Sequence, residues 1–132
     1  MAKKMLTPEA HHEQVVKGLY EQMKPVFDSS EQPIFLYLDD NHKVCNKKFA
    51  DLLGYKSPKE WADVEAPLSD VVEEDQQSVI NAYMNASKKM VASAIQVRVK
   101  NVKTGEIIKT RMILAPVGHT GHIFTAHFLS KL

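Results

Sequence analysis

Two stretches of this chain, one near its beginning and one at its end, are apolar at odd and even positions alike. Residues 34–38 (IFLYL) form the longest apolar run, and residues 123–129 carry apolar side chains on both parities. Successive side chains of a strand point to opposite faces of the sheet, so such strands need cover on both faces. Residues 95–99 instead alternate apolar and polar, which is typical of a half-buried strand. The pattern predicts a sheet whose middle is formed by the first and last strands.

Helical signals occupy the segments around these strands. Thr7-Pro8-Glu9 is a typical helix start, and the residues after it repeat apolar positions with a 3.6-residue period. Gly54 is placed to end a short helix over residues 46–53, and a longer helix opens at Glu73. The sequence therefore predicts an α+β fold with a helical extension over residues 1–29 and a domain over residues 30–132. Connecting helices are expected on one sheet face and the N-terminal amphipathic helix on the other.

The overall composition is that of an ordinary globular protein. The 132 residues include 25% charged side chains, and the formal net charge is +1. This near-neutral balance gives no reason to expect a nucleic-acid partner or a membrane surface. The longest apolar run is far shorter than the ~20 residues of a membrane helix. With one cysteine, Cys45, and no apolar leader at the start, the sequence predicts a reducing, cytoplasmic environment.

The side chains that carry chemistry do not form a recognisable catalytic set. The acidic groups at residues 39–40 and 73–75 fit turn and helix-capping roles. His119, His122 and His127 suggest a metal site by composition, but residues five apart on one strand point to opposite faces. The sequence therefore predicts neither a metal site nor enzymatic activity.

Several segments together resemble the PAS family. Residues 34–40 (IFLYLDD) and 46–55 (NKKFADLLGY) are similar to its hydrophobic strand ending in Asp and its Asn-x-x-Phe-x-x-Leu-x-Gly-Tyr segment. Residues 57–61, 70–75 and the final hairpin at 116–129 are similar to its later elements. The gap from Asp39 to Asn46 is about two residues shorter than in the family. The resemblance implies a five-stranded antiparallel sheet around a small hydrophobic cavity, a role in sensing or protein contact, and dimerisation through an N-terminal helix.

The resemblance also bears on cofactors, of which the sequence identifies none. Flavin-binding members carry a cysteine after the Gly-Tyr pair, whereas Cys45 precedes Gly54. The cysteine used for a coumaroyl chromophore is missing as well, and residues 73–100 contain no histidine to hold haem. These departures argue against a covalent flavin adduct, a coumaroyl chromophore and haem.

The first functional hypothesis is a sensory or signalling module that binds a small ligand, a protein partner or both, with output through a dimer or partner. Its candidate pocket residues are Phe49, Leu53, Trp61, Tyr83 and Met112. Its candidate homodimer interface is the apolar stripe of the first helix, namely Val16, Leu19, Tyr20, Met23 and Phe27. Two alternatives stay open. One is a small enzyme with an inward acid–base residue, for which His122, Thr110 and Thr125 have a suitable parity, and the other is a dimeric adaptor with a filled core.

Overall fold

The computed structural model describes residues 8–132, and it contains five helical segments and five strands. In chain order these are α1 (Pro8–Ser29), β1 (Ile34–Asp39), β2 (His42–Cys45), α2 (Lys47–Leu53), α3 (Pro58–Ala62), a 3₁₀ turn (Pro67–Asp70), α4 (Glu73–Lys89), β3 (Ser93–Lys100), β4 (Ile107–His119) and β5 (His122–Lys131). The expected N-cap of the first helix, Thr7, lies outside the described residues. None of the helices within residues 8–132 has the length and apolar character needed to cross a bilayer.

The five strands form one antiparallel sheet in the order β2-β1-β5-β4-β3. β1 pairs with β5, with Leu36 opposite Ala126, so the first long strand and the last strand lie side by side as predicted. β3 lies at an edge, which agrees with its half-polar pattern. The short connection after Asp39 is accommodated by an irregular register between Tyr37 and Asp39, and β2 still forms.

Each face of the sheet has its own apolar core. The inner face packs against α2, α3 and α4, and this core includes Phe49, Trp61 and Met112. The outer face packs against α1, where Leu19 lies in one cluster with Leu36. The fold therefore has the predicted layers, with connecting helices on one face and the N-terminal helix on the other.

Local caps fix the junction between the sheet and the inner helices. Asn46, which is buried, caps α2 because its side-chain oxygen accepts hydrogen bonds from the backbone N–H groups of Phe49 and Ile34, both at 3.0 Å. Its amide donates to the Gln32 carbonyl at 2.9 Å. Gly54 ends the helix with φ +81°, in the left-handed region that the sequence predicted for it. These contacts set where α2 stands over the inner face.

Candidate functional site

A cavity of about 250 Å³ lies between the inner face of the sheet and the helices that cover it. The sheet supplies its floor through β1, β3, β4 and β5, and α2, α3, the 3₁₀ turn and α4 supply its walls. The most exposed lining residues are Asp40, after β1, and Ile80, on α4. The cavity therefore opens to solvent between the β1–β2 turn and α4.

All five residues predicted to line a pocket are found on the wall of this one cavity. Phe49 and Leu53 reach it from α2, Trp61 from α3, Tyr83 from α4 and Met112 from β4. Tyr83 is half-buried and the other four are buried. Residues from four separate elements thus line a single space.

The deep end of the cavity is built from aromatic rings. Phe35 lies 4.6 Å from Phe49 and 5.1 Å from Trp61, measured between ring centroids. Phe49 and Trp61 meet edge to face at 5.0 Å. Tilted and edge-to-face packing of this kind is favourable for aromatic quadrupoles. It leaves ring faces and edges lining a space that suits a planar, apolar molecule.

His127 is the one histidine on the cavity wall, and it is buried. Its ring stacks on Phe35 with centroids 3.8 Å apart and planes 11° from parallel. Its Nδ1 donates a hydrogen bond to the Thr125 carbonyl at 3.0 Å. Burial lowers the pKa of His127 to about 3, because the charged form would lose its hydration. His127 is therefore a neutral imidazole across the physiological pH range.

The other polar groups at the cavity are tyrosines and carboxylates. Tyr37 donates a hydrogen bond to Asp40, and Tyr83 donates to the Leu38 carbonyl at 3.2 Å. Burial is the main cause that raises the pKa of both tyrosines. On the opposite wall, the Tyr55 hydroxyl donates to Asp70, and burial raises the pKa of that carboxyl. These groups offer hydrogen bonds within an otherwise apolar space.

The buried Lys43 side chain lies against the ring of Trp61. The Lys43 ammonium donates to the carbonyl oxygens of Asp40, of Ala62 at 3.0 Å and of Val64 at 2.5 Å. The same group lies 5.2 Å from the centroid of the Trp61 ring. Lysine near the last carbonyls of a helix is a usual C-terminal partner. Lys43 therefore fixes the end of α3 and the tryptophan that α3 presents to the cavity.

Sequence reasoning misassigned the inward histidine. His122 was expected to have an inward parity, yet it lies near His11 and His12 of α1, on the outer side of the sheet. His127 points inward instead, together with Thr125 on the same parity of β5. Phe124 and Ala126 pack under α1, which places the even-numbered residues of β5 on the outer face and His127 on the inner face. The sequence of β5 is apolar on both parities, so it carried no signal of this choice.

The stripe predicted for dimerisation packs largely against the chain's own sheet. Val16, Leu19 and Phe27 are buried within a single chain, and Tyr20 and Met23 are half-buried beside them. The outer face of β1 and β5 is the surface that they cover. These residues are therefore part of the outer core before any second chain is considered.

Comparison with known proteins identifies the fold. No protein-family model matches the chain, and no curated protein matches it. Among solved structures it is similar to the Rhodobacter sphaeroides LOV protein, with a TM-score of 0.67, 19% identity, and coverage of 87% of this chain and 68% of that one. It is also similar to the PAS domain of a protein from Colwellia psychrerythraea, with a TM-score of 0.66, 16% identity, and coverage of 86% and 97%.

A PAS domain from a two-component sensor histidine kinase gives a TM-score of 0.65 at 14% identity, with 88% of this chain and 98% of that chain covered. More than four fifths of this chain is aligned in each of these matches. Together with the five-stranded sheet and the cavity beside it, they establish that this chain has the PAS fold.

Proposed function

We propose that the chain is a sensory signalling module that binds a small aromatic ligand in the cavity and has no catalytic activity. The observation that carries this proposal is the open, aromatic-walled space between the sheet and α2–α4. Protein interiors are normally packed without voids of this size. The adaptor alternative requires a filled core, and the space beside Phe49 and Trp61 argues against it.

The size and lining of the cavity support a ligand of one or two rings. A dry cavity of about 150 Å³ accepts benzene, and this one measures about 250 Å³. Phe35, Phe49 and Trp61 provide the apolar surface, while Asp40 and Tyr83 provide hydrogen-bonding groups nearer the opening. The ligand that fits is planar and apolar at its deep end, with a polar group directed toward the rim.

Binding is favoured over catalysis by the state of His127. An efficient general base has a pKa near the working pH, whereas burial lowers the pKa of His127 to about 3. Its Nδ1 proton is held by the Thr125 carbonyl. A neutral, weakly basic ring stacked on Phe35 suits contact with a ligand better than proton abstraction.

We propose that the ligand is held without a covalent bond to a thiol. Cys45, the only cysteine of the chain, is buried on β2 and is not among the cavity-lining residues. Burial raises the pKa of its thiol to about 12, so the thiolate needed for attack does not form at neutral pH. An unreactive thiol also suits the reducing, cytoplasmic setting that the sequence predicts.

Trp61 provides a direct test of ligand binding. It is the only tryptophan, it is 1% exposed, and it lines the cavity, so a ligand entering beside it will change its emission. One- and two-ring aromatic compounds should produce a saturable change in the wild type. The variant Val79→Phe, which places a ring in the cavity, should lose that response.

The matched control is Val102→Phe, because Val102 is 48% exposed and does not line the cavity. Its titration should resemble that of the wild type. A Val79→Phe protein that is folded by circular dichroism and still binds with unchanged affinity would contradict the proposed site. Failure of every compound in a broad aromatic set would contradict the proposed ligand class.

We also propose that the chain forms a homodimer, with α1 contributing to the interface and carrying the output. Since Val16, Leu19 and Phe27 are occupied by the sheet, the available part of α1 is its other edge, where Val26 is 44% exposed beside half-buried Met23. On the outer face, Ile113 of β4 is also exposed. These residues form an apolar margin along the covered part of the sheet.

The oligomeric state tests this interface. Light scattering should give a dimer for the wild type and a monomer for Val26→Glu/Ile113→Glu, which changes two exposed positions outside the outer core. Val102→Glu, at an exposed valine far along the sequence, should remain dimeric. A monomeric wild type at micromolar concentration would refute the dimer, and a dimeric double variant would place its interface elsewhere.

A further inference from the structure

Residues from three distant segments meet where β1 ends and β5 begins. These two points lie side by side because the strands are antiparallel neighbours, and the first turns of α1 lie over them. The ring of His12 lies 5.2 Å from the rings of both His42 and His122, measured between centroids. Asp39, at the end of β1, completes the group. We refer to these four residues and His11 as the histidine corner.

Three members of the histidine corner present possible metal ligands to a common point. The candidate ligand atoms of His12, Asp39 and His42 all lie within 4.8 Å of one another. His42 Nδ1 is 2.6 Å from one carboxylate oxygen of Asp39, and His12 Nδ1 is 4.0 Å from the other. Ligand atoms around a tetrahedral zinc ion lie about 3.3 Å apart, given bond lengths of about 2.0–2.1 Å. The two separations lie on either side of that value.

The side chains that would move to reach this geometry are partly exposed. The His12 and Asp39 side chains are 32% and 45% exposed, whereas His42 is 4% exposed and held by the surrounding fold. Rearranging the two partly exposed groups, including the hydrogen bonds that Asp39 accepts from Asn41 and His42, would bring the three ligand atoms to metal-binding separations. One ligand is thus fixed by burial and the other two close on it.

We infer that His12, Asp39 and His42 bind a divalent transition-metal ion of the zinc type. Two imidazoles and one carboxylate suit zinc and its neighbours in the first transition row, and not the oxygen-preferring Ca²⁺ or Mg²⁺. Three protein ligands leave a fourth position for water or for a further imidazole. This site is separate from the aromatic cavity, since neither His12 nor His42 lines that space.

The neighbouring histidines support the site. His11 and His122 lie with their Nε2 atoms 3.2 Å apart, directly beside His12. Their rings limit the directions open to His12. A bound ion would join the first turn of α1 to the β1–β2 turn and would thereby fix the helix to the sheet edge.

The sequence argument overlooked this group. It rejected a metal site on His119, His122 and His127, and the fold does place His122 and His127 on opposite faces. The ligands proposed here come instead from α1 and from the β1–β2 turn. Because these ligands lie on different elements, no residue spacing within a single element could have indicated them.

The test is titration of the tag-free, chelator-treated full chain with Zn²⁺ in a calorimeter, with thermal unfolding measured in parallel. We expect one ion per chain and a higher melting temperature with zinc, because the ion binds the folded form. His12→Gln and Asp39→Asn change partly exposed side chains, so both variants should fold. Each should weaken binding by about 100-fold, since even indirect partners of a metal contribute 10–100-fold.

His119→Gln is the matched control, because His119 is the last residue of β4 and lies outside the three-ligand group, and this variant should bind zinc as the wild type does. Absence of zinc binding by the wild type would overturn the inference. Unchanged binding by both His12→Gln and Asp39→Asn would also overturn it. So would loss of binding in His122→Gln with full binding retained in His12→Gln, because the ion would then lie on the His11–His122 pair.

Discussion

The neutral state of His127 predicts a specific dependence of stability on pH. Burial lowers its pKa from 6.5 to about 3 in the folded chain, so between these values the unfolded chain binds more protons than the folded one. The free energy of unfolding must therefore fall as the pH is lowered from 6.5 towards 3. At about 1.4 kcal/mol for each pH unit, this single group removes about 2 kcal/mol by pH 5.

The substitution His127→Phe isolates this contribution. Phenylalanine keeps a ring stacked on Phe35 but removes the titrating group, while all carboxyl groups and the other histidines remain. Urea unfolding followed by circular dichroism at pH 7 and pH 5 should show that the wild type loses about 2 kcal/mol more than the variant. The quantity compared is the loss between pH 7 and pH 5 within each protein, so a difference in stability between the two proteins at pH 7 does not affect it. Equal losses in the two proteins would show that His127 is not a buried, neutral group.

Three further substitutions test the local structure around the cavity by chemical denaturation. Gly54→Ala should lower the free energy of unfolding by about 2 kcal/mol or more, because alanine is strained in the left-handed backbone region and because the new Cβ meets Asn101 Oδ1 at 2.3 Å. The loss should be smaller in an Asn101→Gly background. Additive effects of the two substitutions would contradict the clash. Asn46→Ala should lower the free energy of unfolding by about 3 kcal/mol, because it removes the cap of α2 and leaves buried N–H groups without an acceptor. A loss of stability near zero would refute this role of Asn46. Asp75→Asn should be less stable than the wild type at neutral pH, because hydrogen bonds from Arg98 lower the pKa of that carboxyl. The difference in the free energy of unfolding between the two proteins should narrow as the pH falls through the lowered pKa of Asp75. A difference that does not change with pH would contradict this role of the Asp75 carboxylate.

The order of the sheet was predictable because burial on two faces leaves a strong pattern in sequence. Residues 34–38 are apolar on both parities, and they became β1, which lies beside β5 in the sheet interior. The role of Gly54 was equally predictable, since a left-handed backbone favours glycine. The five candidate pocket residues were named as large apolar or amphipathic side chains, and the sequence did not show which of them face inward.

What the sequence did not reveal depends on side-chain direction and on distant contacts. β5 is apolar on both parities, so its pattern did not show whether His122 or His127 faces inward. The histidine corner joins α1 to two turns, and only the packed fold brings His12 next to Asp39. The apolar stripe of α1 was legible, but the pattern alone did not decide between the chain's own sheet and a second chain.

Mass spectrometry of the protein purified from cells tests the central proposal most directly. Under native conditions the wild type should carry a small organic compound that is released on denaturation, and Val79→Phe purified in the same way should lack it. Val102→Phe, which leaves the cavity unchanged, should retain the compound. A wild type that carries no compound and takes up none from a cell extract would contradict the assignment of this cavity as a ligand site. Equal retention by Val79→Phe would show that the compound is bound elsewhere.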